Sequence, residues 1–171
     1  MNYWIFQSNP LKFPIIQEIR NAFSKKLPVG YQRMSYWHIK RIPKSMRPDD
    51  IVFVWKSDGG DKGTRGIYAK AKVFSAWPNH SKPLTPARID AVLESVGLDL
   101  DWYDAGSKAE NRAYPTVVIE YTRNLVEAPL LANKIRKMPE LKSLLILRFS
   151  EQTSYELTED HGRILDKMTD S

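Results

Sequence analysis

The sequence predicts an α+β fold, a small mixed β-barrel of about five or six strands with peripheral helices. Three observations predict it. Short β-prone runs recur along the chain, and few of them are separated by crossover helices, which argues against a doubly wound parallel sheet. Two such runs, Ile51–Trp55 and Gly66–Val73, flank a connector rich in Gly, Asp and Lys, the residues a reversing chain needs. Hydrophobic residues are 42% and charged residues 27% of 171, values that suit a single domain over 1–171 with a real core.

The elements follow in order. Tyr3–Gln7 is dense in aromatic and β-branched residues and reads as a first strand, broken by Ser8-Asn9-Pro10. Phe13–Lys26 carries Phe13, Ile16, Ile19, Ala22 and Phe23 near helical spacing, with Pro14 suited to a first turn and Pro28-Val29-Gly30 as a stop. The hairpin comes next. Thr85 as N-cap, Pro86 at the first helical position and Gly97 as terminator delimit a second helix with Ile89, Val92, Leu93 and Val96 on one face. Residues 98–112 read as a polar loop holding Trp102 and Tyr103, and Thr116–Tyr121 as a strand. Ala128–Lys137 reads as a short helix, Leu144–Phe149 as a buried strand, and Glu159–Met168 as a last helix capped by Thr158.

Composition narrows the function. Cysteine is absent, which excludes disulfides and thiolate metal sites. No apolar run reaches the roughly 20 residues of a membrane span, and the first residues lack a signal-peptide pattern, so a cytoplasmic setting is expected. The net charge of +6 favours polyanionic partners. The basic residues concentrate between Lys25 and Pro48, where Arg33, His38, Lys40, Arg41, Lys44 and Arg47 face no carboxylate in the same segment. Such a run serves either phosphate contact or simple solvation.

Motifs for catalysis are scarce. His38, His80 and His161 share no metal-ligand spacing, and neither a Gly-x-Ser-x-Gly elbow nor a Walker loop occurs. Asp58-Gly59-Gly60-Asp61-Lys62-Gly63 has glycines but no following helix to cradle a phosphate. Asp49-Asp50 reads as a turn before a strand; Asp99, Asp101 and Asp104 could bind a divalent ion, but read more readily as a solvated loop. No metal and no cofactor is expected. The hairpin instead gathers Trp55, Ser57, Arg65, Gly66 and Tyr68 near one end. An indole, a hydroxyl and a guanidinium beside pliant backbone suit a flat polar ring, which points to recognition of a base or nucleotide.

The same segments carry a family resemblance. Asn2-Tyr3-Trp4-Ile5-Phe6-Gln7-Ser8-Asn9-Pro10, Tyr36-Trp37, Asp50-Ile51-Val52-Phe53-Val54-Trp55-Lys56-Ser57, Arg65-Gly66-Ile67-Tyr68-Ala69 and Leu157-Thr158-Glu159 occur in the order and spacing of the EVE domain. The chain resembles that family, a branch of the PUA-like barrels related to YTH domains, over nearly its whole length. The resemblance implies a PUA-like barrel that binds DNA or RNA and accepts a flipped base, methylated or hydroxymethylated cytosine in EVE-like domains and methyladenine in YTH domains. By position it places Asn9, Trp37, Trp55, Ser57 and Gly66 near the pocket.

The chemistry of such a pocket assigns roles. Extruding a base costs a few kcal/mol, and an aromatic face returns about 1–3 kcal/mol per stacked base. Trp37 and Trp55 would be walls, with Tyr68 beside them. Asn9, Ser57 and the backbone at Gly66 would hydrogen-bond the ring edge, while Lys40, Arg41, Lys44 and Arg65 would meet phosphates. Each has a plainer alternative: Trp55 ends a strand and serves core or pocket equally well, and Asn9 before Pro10 suits a turn. Trp4 reads as core, and Trp77 and Trp102 as packing over a barrel end. The expected function is a module that recognises a modified base without chemistry. The alternative is an enzyme that modifies or processes RNA or a nucleotide, and a weaker one is a small-molecule or protein-interaction domain.

Overall fold

The computed structural model describes residues 1–24, 33–39, 42–76, 116–148 and 152–170. Its strands are β1 (Tyr3–Ser8), β2 (Met34–His38), β3 (Ile51–Lys56), β4 (Gly66–Ala76), β5 (Thr116–Asn124), β6 (Leu130–Leu131) and β7 (Ser154–Leu157). The helices described are α1 (Ile15–Ala22), α2 (Ala132–Arg136) and α3 (Glu159–Asp170), with single 3-10 turns at Pro139–Leu141 and Leu145–Leu147. The strands form one mixed sheet in the order β2-β5-β4-β3-β1-β7, and β6 pairs with β4 off that path. β1 runs parallel to β3 and antiparallel to β7, and Ile5 lies between Phe53 and Tyr155.

The sequence of β1 explains its central place. Tyr-Trp-Ile-Phe is buried on both faces, as a strand must be when both faces are covered. Alternation then sorts its side chains into two cores. Trp4 and Phe6 join Val52 and Val54 of β3, Ala71 and Val73 of β4, Val117 and Ile119 of β5, and Ile15, Ile19 and Ala22 of α1. Tyr3 and Ile5 join Phe53 and Trp55 of β3, Ile135 of α2 and Leu165 of α3 on the other side. The sheet is thus covered on both faces.

The α+β class stands, with seven strands among the described residues, two more than the sequence reading delineates. Among the described residues the sheet is open, not a closed barrel. Both hydrogen-bonding edges of β1 are taken, by β3 and β7, so β2 has no edge of β1 to pair with. The sheet nevertheless curls. Phe6 of β1 and Trp37 of β2 meet with ring centroids 5.5 Å apart, although the strands share no ladder. Side chains close the curl where backbone does not.

Four element assignments change. Leu144–Phe149 is not a strand over its described part: Leu147 and Arg148 donate to the carbonyls of Leu144 and Leu145, a turn that buries Ile146 and Leu147 and leaves Leu145 out. The predicted helix Ala128–Lys137 starts later, because Leu130 and Leu131 pair with Ile67 and Gly66 before α2 begins. Met34–His38 and Ser154–Leu157 are strands the sequence reading passed over. Thr158 does cap α3, its Oγ1 accepting the His161 N–H at 3.3 Å. The expected helix after Thr85, the loop 98–112, Trp77 and Trp102 lie outside the described residues. Among those residues no helix is long and apolar enough to cross a membrane.

Candidate nucleic-acid interface

The end of β1 and the hairpin connector form one structure. The Ser57 N–H donates to the Ser8 carbonyl at 2.9 Å. Asn9 builds a turn: its Oδ1 accepts the Leu11 N–H at 3.0 Å, and its carbonyl accepts from Lys12 and Phe13. The connector then folds onto this turn. Gly59 has φ of +57°, and a Cβ there would stand 2.3 Å from Pro10 Cγ, so only glycine lets the connector lie against the Pro10 ring. Asn9 and Ser57, far apart in sequence, are in this way neighbours through Ser8.

Tyr68 reaches this end by a bulge. Val54 faces Ala69 and Trp55 faces Ile67, which leaves Tyr68 as the extra residue on β4. Tyr68 and Ala69 therefore both turn to the core that holds Trp37. The Tyr68 hydroxyl donates to the Thr64 carbonyl at 2.6 Å, and the Lys56 ammonium sits 5.4 Å from the centre of its ring. Lys56 is buried and donates to Thr64 Oγ1 at 2.6 Å. Burial pulls its pKa down against the opposing pull of Asp61 and Asp58.

The remaining predicted residues are distributed differently. Trp37 is 8% exposed, on the concave side with Phe6 and Tyr68. Trp55 is 2% exposed and belongs to the opposite core with Phe53, Ile67 and Leu130. The two indoles do not line one cleft, because Trp55 and Trp37 sit on opposite faces of the sheet. Gly66 is buried under β6, where a Cβ would lie 2.5 Å from the Leu130 carbonyl oxygen. Its neighbour Arg65 is half-buried, and its carbonyl accepts the Ala132 N–H at 2.9 Å. Lys44 is exposed and accepts a bond from Arg47 on its carbonyl. Lys40 and Arg41 lie outside the described residues.

Next to Trp37 the structure assembles a polar cluster that sequence reading missed. α1 supplies Glu18, β2 supplies Ser35 and Trp37, and β5 supplies Tyr121. The Ser35 and Tyr121 hydroxyls both bond Glu18 Oε1, Tyr121 at 3.3 Å. Glu18 Oε2 and the Trp37 Nε1–H are buried and find no hydrogen-bond partner among the described residues. The indole N–H lies near the Tyr121 hydroxyl, close enough to ease its ionisation but outside hydrogen-bond geometry. Burial pushes the Glu18 carboxyl up to about 7 against the pull of Ser35 and Tyr121. Burial, reinforced by Glu18, raises the Tyr121 hydroxyl well above its ordinary range. Glu18 carries little sequence signal, since a carboxylate in a first helical turn is ordinary.

Asp50 is a second buried carboxylate, with the opposite character. It accepts from the Asn2 N–H at 2.8 Å, the Arg47 N–H at 2.9 Å and the Trp4 indole at 3.0 Å. Burial opposes its charge, but these bonds, led by that of the Asn2 backbone, hold its pKa below the usual range. Asp50 is thus the anchor of Trp4 and of the β1–β3 start. Among the described residues no three His, Asp or Glu side chains converge as a metal ion would require.

A sequence profile of the EVE domain matches residues 2–168. The chain belongs to the EVE domain family. The fold of this EVE domain is shared with solved structures at low identity. A hypothetical protein from Leishmania major superposes with a TM-score of 0.60 at 16% identity, covering 99% of this chain and 95% of that one. The human THYN1 protein, solved in complex with 5-methylcytosine-containing DNA, gives 0.59 at 15%, covering 100% and 99%. The DUF55 domain of human thymocyte nuclear protein 1 gives 0.57 at 16%, covering 98% of each. No curated protein matches this EVE domain.

Proposed function

We propose that this EVE domain is a nucleic-acid-binding module that holds one exposed base, methylated or hydroxymethylated by preference, on the concave side between Trp37 and the hairpin end that carries Tyr68 and the Asn9–Ser57 junction. The carrying observation is the full-length likeness to the THYN1 protein, whose structure contains 5-methylcytosine DNA. Local geometry supports it: the Tyr68 ring, a buried cation and two turns lie at one end of the hairpin, and Trp37 joins the same concave core through Phe6. Tyr68 offers the ring face, and Trp37, Asn9 and Ser57 contribute edge contacts. Lys40, Arg41, Lys44 and Arg65 meet phosphates. Gly66 and Trp55 serve by support: Gly66 lets β6 clamp the hairpin, and Trp55 anchors the strand that carries Lys56 and Ser57.

A binding panel tests this reading. Single- and double-stranded DNA and RNA would carry one central cytosine, 5-methylcytosine, 5-hydroxymethylcytosine or N6-methyladenine, with affinity read by fluorescence anisotropy. Trp37→Ala is expected to weaken binding about tenfold or more, the scale of one lost edge contact to a base. Trp55→Ala is expected to act on stability, by about 3–5 kcal/mol for a large buried aromatic. Failure of every oligonucleotide to bind at low salt overturns the reading.

A further inference from the structure

Two buried polar atoms without a hydrogen-bond partner among the described residues call for an explanation. A buried donor or acceptor left unpaired costs free energy comparable to the bond it forgoes, so native proteins keep few of them. Glu18 Oε2 and the Trp37 Nε1–H are two such atoms, and both flank one hydroxyl, that of Tyr121. They arrive on separate elements, α1 and β2, and both belong to the concave core with Phe6 and Tyr68. The arrangement has direction. Glu18 Oε1 is spent on Ser35 and Tyr121, which leaves Oε2 as the free atom of the carboxyl.

The chemistry of the pair defines a complement. An ionised carboxylate oxygen only accepts, and an indole N–H only donates. Their joint partner must therefore offer an N–H beside an acceptor on one rigid edge. The amino-bearing bases do so: cytosine presents its exocyclic amino group beside N3, and adenine its amino group beside N1. Uracil and thymine present a carbonyl oxygen where cytosine has the amino group, which would set two acceptors against each other.

We infer that Glu18 and Trp37 form the edge-reading end of the base site, with Glu18 Oε2 accepting an exocyclic amino N–H and the Trp37 Nε1–H donating to the adjacent ring nitrogen, so that the site selects amino-bearing over keto-bearing bases. The inference rests on the nucleic-acid reading above and adds the residues that discriminate. Ser35 and Tyr121 are positioning residues, since they hold the carboxyl by its other oxygen.

The protonation state sets a sign. Protonated Oε2 is a donor and opposes an amino group, so selection for amino-bearing bases requires the ionised carboxyl. The group titrates at about 7, so selection is strong at pH 8 and fades at pH 6. Among the described residues three titratable or charged groups bear on it. Tyr121 faces it from β5, and stays neutral throughout this range. Arg33, just ahead of β2, lies over the Phe23 ring at 4.8 Å, and Arg20 on α1 pairs outward with Glu127 at 3.0 Å.

The test uses the whole chain and oligonucleotides identical except for one base: cytosine against uracil, and adenine against hypoxanthine, at pH 6 and pH 8. The wild type should favour the amino-bearing member about tenfold or more at pH 8, the scale of a well-matched edge pair, and less at pH 6. Glu18→Gln places an N–H₂ where Oε2 was, so the preference should vanish or reverse and lose its pH dependence. Trp37→Phe keeps a ring but not the donor, and should lower discrimination while the pH trend remains. Thermal melts confirm that each variant is folded, and the wild-type pH profile decides the matter if Glu18→Gln is not. Wild-type binding that ignores base identity overturns the inference and leaves the nucleic-acid reading standing, as does a Glu18→Gln protein with unchanged preference and pH profile. No binding by any oligonucleotide overturns both.

Discussion

Two carboxyls, Glu18 and Asp50, are buried in this protein and behave oppositely, and their partners are the reason. Asp50 gathers four N–H donors from Asn2, Trp4 and Arg47, so its charge is welcome. Glu18 receives only two hydroxyl donors on one oxygen. The linkage follows from the direction of each shift. Asp50, held low, contributes stability that is present above the ordinary Asp range and lost as pH falls through its depressed pKa. Glu18, raised from 4.5 to about 7, contributes stability that is present below 4.5 and lost as pH rises through 7. A shift of that size corresponds to roughly 3 kcal/mol. Urea denaturation should therefore show wild-type stability declining between pH 5 and pH 8. Glu18→Gln should flatten that slope and equal or exceed the wild type at pH 8. A wild-type curve with no decline attributable to Glu18 would place the carboxyl in water. The same variant thus separates fold from recognition, since its binding defect appears where its stability is at least that of the wild type.

Elements in this protein are fitted by single small residues. α3 crosses β1 at Gly162, where a Cβ would lie 2.0 Å from the Tyr3 ring. Glycine inside a helix costs about 1 kcal/mol relative to alanine, so its place here follows from the crossing. Gly162→Ala is expected to destabilise by about 1–3 kcal/mol despite its better helix propensity, because the Tyr3 ring must move. A thermal melt with an unchanged or higher midpoint would contradict this packing. Tyr3→Ala combined with Gly162→Ala should give a double mutant less unstable than the sum of the two. α3 is also tied to β4 electrostatically, Lys70 lying 2.5 Å from Asp166 and 2.8 Å from Asp170. Hydrogen bonds and attraction from these two aspartates raise the Lys70 pKa against its burial.

Over the whole molecule, the excess of Lys and Arg meets an architecture whose hairpin end is rich in turns and poor in carboxylates other than Asp58 and Asp61. If Lys40, Arg41, Lys44 and Arg65 each neutralise one phosphate, log affinity for duplex DNA should fall with log salt at a slope of about −3 to −4, roughly a hundredfold between 50 and 200 mM. Replacing Lys44 by Ala should reduce that slope by about 1 without altering base preference. A slope near zero would remove phosphates from the interface.

What was legible in the chain was local. The β-prone run Ile51–Trp55, the Gly-rich connector, the Thr158 cap and the helical face built on Ile19 and Ala22 are short-range patterns, and each appears in the structure where the pattern puts it, although Ile15 and not the expected Ile16 is the fully buried residue at the start of that helix. Ser154–Leu157 was not legible, because a four-residue strand with one buried side chain has too little pattern to see. Leu144–Leu147 misled, because an apolar run reads alike whether it is extended or wound into a turn. The candidate site was half legible. Trp37, Asn9 and Ser57 stand in recognisable segments, but Glu18, Ser35 and Tyr121 are unremarkable residues until three elements bring them together.

The amino-acid sequence by itself determined the secondary-structure types of its strongest segments, the positive charge and the family-bearing segments, since these depend on residues near one another along the chain. The tertiary structure alone decided which indole lies on which face, that β1 is paired on both edges within a sheet that is open among the described residues, and that one carboxyl is buried beside an indole N–H with no partner among those residues. Those outcomes depend on strand pairing and on a single bulge residue, Tyr68, and pairing is a long-range choice that no local pattern encodes.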